Sequence, residues 1–355
     1  MSSPMFIGLV QRSHLFLWRT MRQMHIVGEE SILQDRKVVI ENRNGERLSI
    51  NAVYQDSQPS GSPIGTVVSL HGAPGSHSDF KYINHFLVEK GIRHIGVNYP
   101  GFGYTDGEYA SKMLIGHAKL YYDNLERHAF VIALIEELDL GDKVVFMGHS
   151  RGTENAIMLA AERNAHGVVL LNPTGLSLHR ALRPFFMLKI LTGLYNMGPF
   201  TQSLLNPLYY KLYQKLGIKA KTGEIAAISM KTMEQLALHK QKPFIDRINQ
   251  SKTNVLFFYS GRDWLIEEEI STKCAHAFDV EHIHCQGLSD EEDQLVTQQI
   301  KKVFQDGKRG MSVFFMKDGH FLQKDRARLI AEGISAMLCL SNKLPYSDES
   351  VINKL

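Results

Sequence analysis

The chain has 355 residues, 44% hydrophobic and 22% charged, with a formal net charge of +3. That is the make-up of a folded globular protein with room for one large domain or two smaller ones, and so small a charge gives no footing for nucleic acid. Three widely spaced cysteines, Cys274, Cys285 and Cys339, fit a reduced compartment such as the cytoplasm and argue against a disulfide scaffold or a zinc cluster.

Residues 1–36 read as an N-terminal extension. Positions 1–28 hold Arg12, Arg19 and Arg22 among apolar side chains, with neither Asp nor Glu. Such a stretch fits a mitochondrial transit peptide, which would change the compartment. It also fits a helix packed on the core or lying on a membrane surface. Lys37–Ile40 and Leu48–Tyr54 flank Asn44-Gly45, a hairpin signal. After a loop, Thr66–Leu70 reads as a strand ending in His71-Gly72-Ala73-Pro74-Gly75. The pattern predicts a helix over Asp79–Lys90 and a strand over His94–Tyr99 that closes in Pro100-Gly101-Phe102-Gly103. A long helix is expected over Lys119–Leu138, with Leu125, Ala129, Ile132 and Ile135 on its apolar face.

The next stretch organises the rest. Val144–Met147 is a short buried strand, Gly148-His149-Ser150-Arg151-Gly152 is a G-x-S-x-G turn, and Thr153–Ala161 is a helix. A chain that reverses so sharply has no room for side chains at 148 and 152, and glycine has none. The serine is forced into a strained conformation with its Oγ at a helix N-terminus. The Arg151 amide points into the same space, where negative charge is welcome.

His166–Leu171 is a further strand. From 174 to 252 no strand is expected, only helical patterns rich in Met, Leu and Tyr. This insertion carries twelve Lys and Arg against three acids. A basic, apolar lid suits an anionic or acyl-chain substrate, or an anionic membrane surface, and also a solvated basic face over an apolar packing face. The stretch Leu182–Phe200 is too broken by Arg183, Pro184, Lys189 and Pro199 to cross a bilayer. Strands resume at Asn254–Ser260 and Ser312–Met316. Helices are expected near Glu267–Phe278, Asp290–Phe304 and 321–340, and 343–355 is a polar tail. Alternating strands and helices with apolar, β-branched strands mean an α/β fold, a mostly parallel central sheet flanked by helices. Its core is expected over 37–173 and 253–342, with 174–252 as a helical cap.

A nucleophilic serine needs a base, and the base an orienting acid. Ser150, Asp263 and His320 stand in that order at strand ends. Asp318 and, less naturally, Asp246 are rival acids. The oxyanion hole is assigned to the amides of Arg151 and Ala73, with His71 and Gly72 shaping the loop beneath. His71 is expected to tie loops together rather than act as the base. No cofactor and no metal is called for: the chain has neither an H-E-x-x-H motif nor a G-x-x-x-x-G-K-[ST] loop.

Taken together, His71-Gly72-Ala73-Pro74-Gly75, Asn98-Tyr99-Pro100-Gly101-Phe102-Gly103-Tyr104, Gly148-His149-Ser150-Arg151-Gly152, Gly261-Arg262-Asp263 and Gly319-His320 resemble the α/β-hydrolase superfamily. The likeness runs from about residue 37 to 340, and the insertion resembles that family's helical cap. Within the superfamily the chain is similar to a poorly characterised nematode branch. The resemblance implies an esterase, lipase, thioesterase or amidase. Epoxide hydrolases and haloalkane dehalogenases are similar around the His-Gly-x-Pro loop, but they use an aspartate where this chain has Ser150. The loop also resembles that of proline-releasing aminopeptidases. Thr153 stands where many relatives have a further glycine, which puts that substrate class in doubt.

The expected function is hydrolysis of a small-molecule carboxylic ester or related acyl substrate through Ser150. The other readings are a ligand-binding protein that keeps the fold without turnover, and a lipid hydrolase touching the membrane through its cap or N-terminal segment.

Overall fold

In the computed structural model, residues 33–105, 119–287 and 289–341 are described. The acid-free stretch 1–28 and the tail 343–355 lie outside them. The Asn44-Gly45 signal is a hairpin turn. β1 (Leu33–Glu41) and β2 (Arg47–Asp56) pair antiparallel across it, and Asn42 Oδ1 accepts hydrogen bonds from the amides of Asn44 and Glu46 at 2.9 and 3.0 Å. β1 begins at Leu33, inside what the sequence assigns to the N-terminal extension.

β3 (Thr66–Leu70), α1 (Lys81–Glu89) and β4 (Arg93–Val97) follow. Next come α2 (Asn124–Glu136), β5 (Val144–His149), α3 (Thr153–Glu162) and β6 (Gly167–Leu171). Four helices then run without a strand: α4 (Phe185–Tyr195), α5 (Pro199–Lys215), α6 (Gly223–Glu234) and α7 (Lys242–Gln250). β7 (Asn254–Ser260), α8 (Glu268–Ala275), β8 (Glu281–Cys285), α9 (Asp290–Gln305), β9 (Gly310–Phe315), α10 (Leu322–Asp325) and α11 (Ala327–Leu340) complete the described chain.

Among the described residues nine strands form one sheet in the order β1-β2-β4-β3-β5-β6-β7-β9-β8. From β4 to β8 every pairing is parallel, and β2 joins β4 antiparallel. Alternate residues of a strand face opposite sides. Val68, Phe146, Val168 and Phe257 pack on one side with α2 and α3. Val67, Val145, Val169 and Phe258 pack on the other with α1, α9 and α11. The chain leaves β3 toward α1 and the neighbouring β5 toward α3, on opposite faces. That divergence opens a crevice at the carboxyl ends of these two strands, where parallel sheets bind ligands.

Three expectations need correction. The helix over Lys119–Leu138 starts only at Asn124, because Tyr122 is held at φ +59° and Asp123 caps the helix by accepting from Glu126 N at 2.9 Å. Its buried face is set by Phe130, Val131, Leu134 and Ile135, while Leu125 is 67% exposed. The sequence reading missed β8, an edge strand whose Glu281 and His284 are exposed. The C-terminal helix is also broken at Arg326, which lies outside helical geometry and turns its guanidinium to Asp318 and Asp293.

Candidate active site

β5 ends against β3 in register, Leu70 beside Gly148, so the loops after the two strands meet. Ser150 sits at φ +49°, a conformation that L residues avoid and that costs about 1–2 kcal/mol. The two glycines of the turn are obligatory by contact. A Cβ at Gly148 would come within 2.6 Å of Thr153 Cα, and one at Gly152 within 2.1 Å of the Leu70 carbonyl oxygen. Thr153 Oγ1 donates to the Ser150 carbonyl at 2.6 Å and pins the turn to the start of α3. A Cβ at Gly72 would lie 3.3 Å from the Ser150 Cβ, so the β3 loop passes directly over the serine.

His320 follows β9, and its Nδ1 lies 2.6 Å from Asp263 Oδ2. The other carboxylate oxygen of Asp263 accepts from the amides of Leu265 and Ile266 at 2.8 and 3.1 Å. Burial pushes the Asp263 pKa up, but His320 and these hydrogen bonds outweigh it and hold the carboxyl below its usual range. His149 Nε2 donates to the His320 carbonyl at 3.0 Å, which ties the histidine loop to the residue before Ser150. The rival acids are engaged elsewhere. Asp318 forms a two-point pair with Arg326 at 2.6 and 3.0 Å, and Asp246 pairs with Lys242 one turn away on α7.

His71 is fully buried. It donates from Nδ1 to the Gly72 carbonyl at 2.7 Å and accepts at Nε2 from the Tyr99 amide at 3.2 Å. Burial, with Arg127 nearby, drives its pKa down to about 3, so it joins two loops as a neutral ring. The Arg151 guanidinium is buried too, donating to the Thr232 carbonyl at 3.2 Å and Asn124 Oδ1 at 3.0 Å and facing Glu154 at 3.3 Å. Its side chain is thus structural, and only its backbone is free to serve the site.

Ser150 and Ala73 open into a cavity of about 370 Å³. Its walls are largely apolar: Leu188, Leu191 and Leu212 come from the helical insertion, and Trp264 from the loop after β7. Sequence reasoning missed Asn172, at the end of β6. Asn172 is held at φ +43°, and its side-chain Nδ2 lies 3.1 Å from the Gly319 carbonyl, 3.0 Å from that of His320 and 3.0 Å from Ser260 Oγ. An Asn-Pro pair closing a buried strand was the available signal. Among the described residues no group of three or more His, Cys, Asp or Glu could hold a metal ion, and no helix is long and apolar enough to cross a membrane.

Residues 30–339 match the family "Alpha/beta hydrolase of unknown function (DUF1057)". The chain belongs to this family. "Uncharacterized protein F35H12.5" of Caenorhabditis elegans is 31% identical over 306 residues, 82% of each chain. Among solved structures, an esterase from Exiguobacterium antarcticum is 16% identical at a TM-score of 0.53, covering 85% of this chain and 99% of its own. The haloalkane dehalogenase DbeA of Bradyrhizobium elkani is 15% identical at 0.57, covering 86% and 97%. At such identities these neighbours share the fold of this α/β hydrolase, and its chemistry must be read from the site.

Proposed function

We propose that the chain is a serine hydrolase of carboxylic esters or related acyl compounds. The observation that carries this reading is one constellation at one end of the sheet. A serine stands in a positive-φ turn between two indispensable glycines, and a buried Asp263–His320 pair is fastened to the residue before it.

In this reading Ser150 Oγ attacks the acyl carbonyl carbon while His320 Nε2 takes its proton. Asp263 holds the Nδ1–H tautomer and stabilises the imidazolium. The amides of Ala73 and Arg151 receive the oxyanion, and a donor placed there in advance is worth roughly 3–4 kcal/mol. His320 returns the proton to the leaving alcohol, amine or thiol. Water, deprotonated by the same histidine, then releases the acid and frees the serine. The apolar walls of the cavity suit an acyl chain.

The test is labelling with a fluorophosphonate probe, which reports an activated serine without knowledge of the substrate. Wild type should label and Ser150→Ala should not. Equal labelling of both would refute the assignment, and an unlabelled, well-folded wild type would leave a ligand-binding protein on a hydrolase fold.

A further inference from the structure

We propose that the outer face of α4 and α5 docks on an anionic lipid bilayer. Phe186, Ile190 and Leu194 recur every four residues along α4, as Phe200, Leu204 and Leu208 do along α5, so each helix turns one apolar stripe outward. These side chains are bare: Phe200 is 82% exposed, Leu204 68%, and Met197 between the helices 71%. The opposite faces of the two helices are already used, packing Leu188, Leu191, Leu205 and Tyr209 into a small core with α6. Exposed apolar side chains scattered singly need no partner, whereas a contiguous patch does.

The charge around the stripe selects the partner. From Arg163 through Gly223 the chain has no Asp or Glu. Lys189, Lys211, Lys215, Lys219 and Lys221 in that span are all exposed. An apolar ridge on two helices that carry lysines and no carboxylate of their own matches acyl chains beneath anionic headgroups. A second copy of the same face would set lysine against lysine.

The wall of the cavity and the docking face are two sides of one helical pair, since Leu188, Leu191 and Leu212 look toward Ser150. Docking stands apart from the hydrolase reading. Delivery of an acyl lipid from the bilayer to Ser150 rests on it.

The experiment floats the full chain on vesicles of phosphatidylcholine alone and of phosphatidylcholine with phosphatidylserine. The protein should rise with the anionic vesicles, less so as salt increases. Phe200→Ser with Leu204→Ser should weaken that partition by about tenfold or more. Lys211→Glu with Lys215→Glu should remove the preference for phosphatidylserine. None of these four residues lines the cavity, so each variant should retain the wild-type unfolding midpoint and its reactivity toward the fluorophosphonate. Three outcomes would overturn the proposal. One is a wild type that stays with the unbound fraction. Another is flotation that neither pair of substitutions changes. The third is a wild-type dimer that Phe200→Ser with Leu204→Ser splits, without any vesicle binding. A wild type that floats but never labels would support docking and refute the serine chemistry alone.

Discussion

His320 Nδ1 lies 2.6 Å from Asp263 Oδ2, while Asp318, two residues before that histidine, gives both carboxylate oxygens to Arg326. The two acids are therefore separable by substitution. Asp263→Asn should slow fluorophosphonate labelling by about 10³- to 10⁴-fold, because it favours the wrong tautomer of the base. Asp318→Asn should stay within about tenfold of wild type, since it loosens a loop but leaves the tautomer alone. The reverse ranking would reassign the acid.

Through its side chain, Asn172 holds the backbone of His320, the base in the proposed mechanism. Its amide fixes the carbonyls of Gly319 and His320 and the hydroxyl of Ser260. Asn172→Gly keeps the positive φ accessible and deletes only the amide. Labelling should fall by roughly ten- to a hundredfold, in line with a base displaced by a fraction of an ångström. The unfolding midpoint should drop by only a few degrees. An unchanged rate would reduce Asn172 to a scaffold residue.

Glycine substitutions should divide sharply. At Gly152 a new Cβ meets the Leu70 carbonyl at 2.1 Å, backbone that cannot move without tearing β3 from β5. Gly152→Ala is expected to cost at least about 4 kcal/mol or to prevent folding. At Gly319, beside His320, the nearest atom to a new Cβ is the Trp264 ring at 3.9 Å, so Gly319→Ala should fold normally. Thermal unfolding of the two variants checks both expectations.

Buried histidines make acid destabilising. Burial lowers His71, His94 and His149 to about 3 and His179 to about 4. Above about pH 6.5 these rings are neutral folded or unfolded. Below it the unfolded chain takes up protons that the folded chain refuses, so stability falls as pH falls. Asp79, raised to about 6, and Glu126, raised to about 7, oppose this by holding protons when folded. One histidine is isolated by difference. His94→Gln can still bond with Asn84 and Ser69, the present partners. It should flatten the slope of unfolding free energy by about 1.4 kcal/mol per pH unit between about pH 6 and 4. Urea titrations across that range give the slope, and equal slopes would contradict a neutral buried His94.

The parallel sheet was legible because its strands, such as Val144–His149 and Asn254–Ser260, are buried on both faces and read as unbroken apolar runs. β8 was not, since it is an edge strand paired on one side only, and Glu281 and His284 there face solvent. The start of α2 was hidden for a different reason. Glu126 accepts from the amides of Tyr121 and Tyr122 at 2.8 Å, a local bond that periodicity does not register. In the candidate site, turn chemistry and chain order single out Ser150, Asp263 and His320 as candidates, and of these Asp263 and His320 lie in contact. For Asn172 the sequence offered only an Asn-Pro pair after a buried strand, because the groups it holds, Gly319 and His320, are brought beside it by folding.

Arg151 gives the insertion an unequal attachment. Its guanidinium bonds to Thr232 on α6, Glu154 accepts from the Ala237 amide at 3.5 Å, and Gln241 donates to Gly175 at 3.0 Å. Ile228 of α6 and Ile245 of α7 belong to the main core, whereas α4 and α5 pack on the outer side of α6 through a separate cluster. In mechanical terms, α6 and α7 are masonry laid with the sheet, and α4 and α5 are a shutter hung on them. Amide exchange should be slow in the first pair and fast in the second, and any widening of the entrance to Ser150 is expected to leave the amides of Ala73 and Arg151 where they stand.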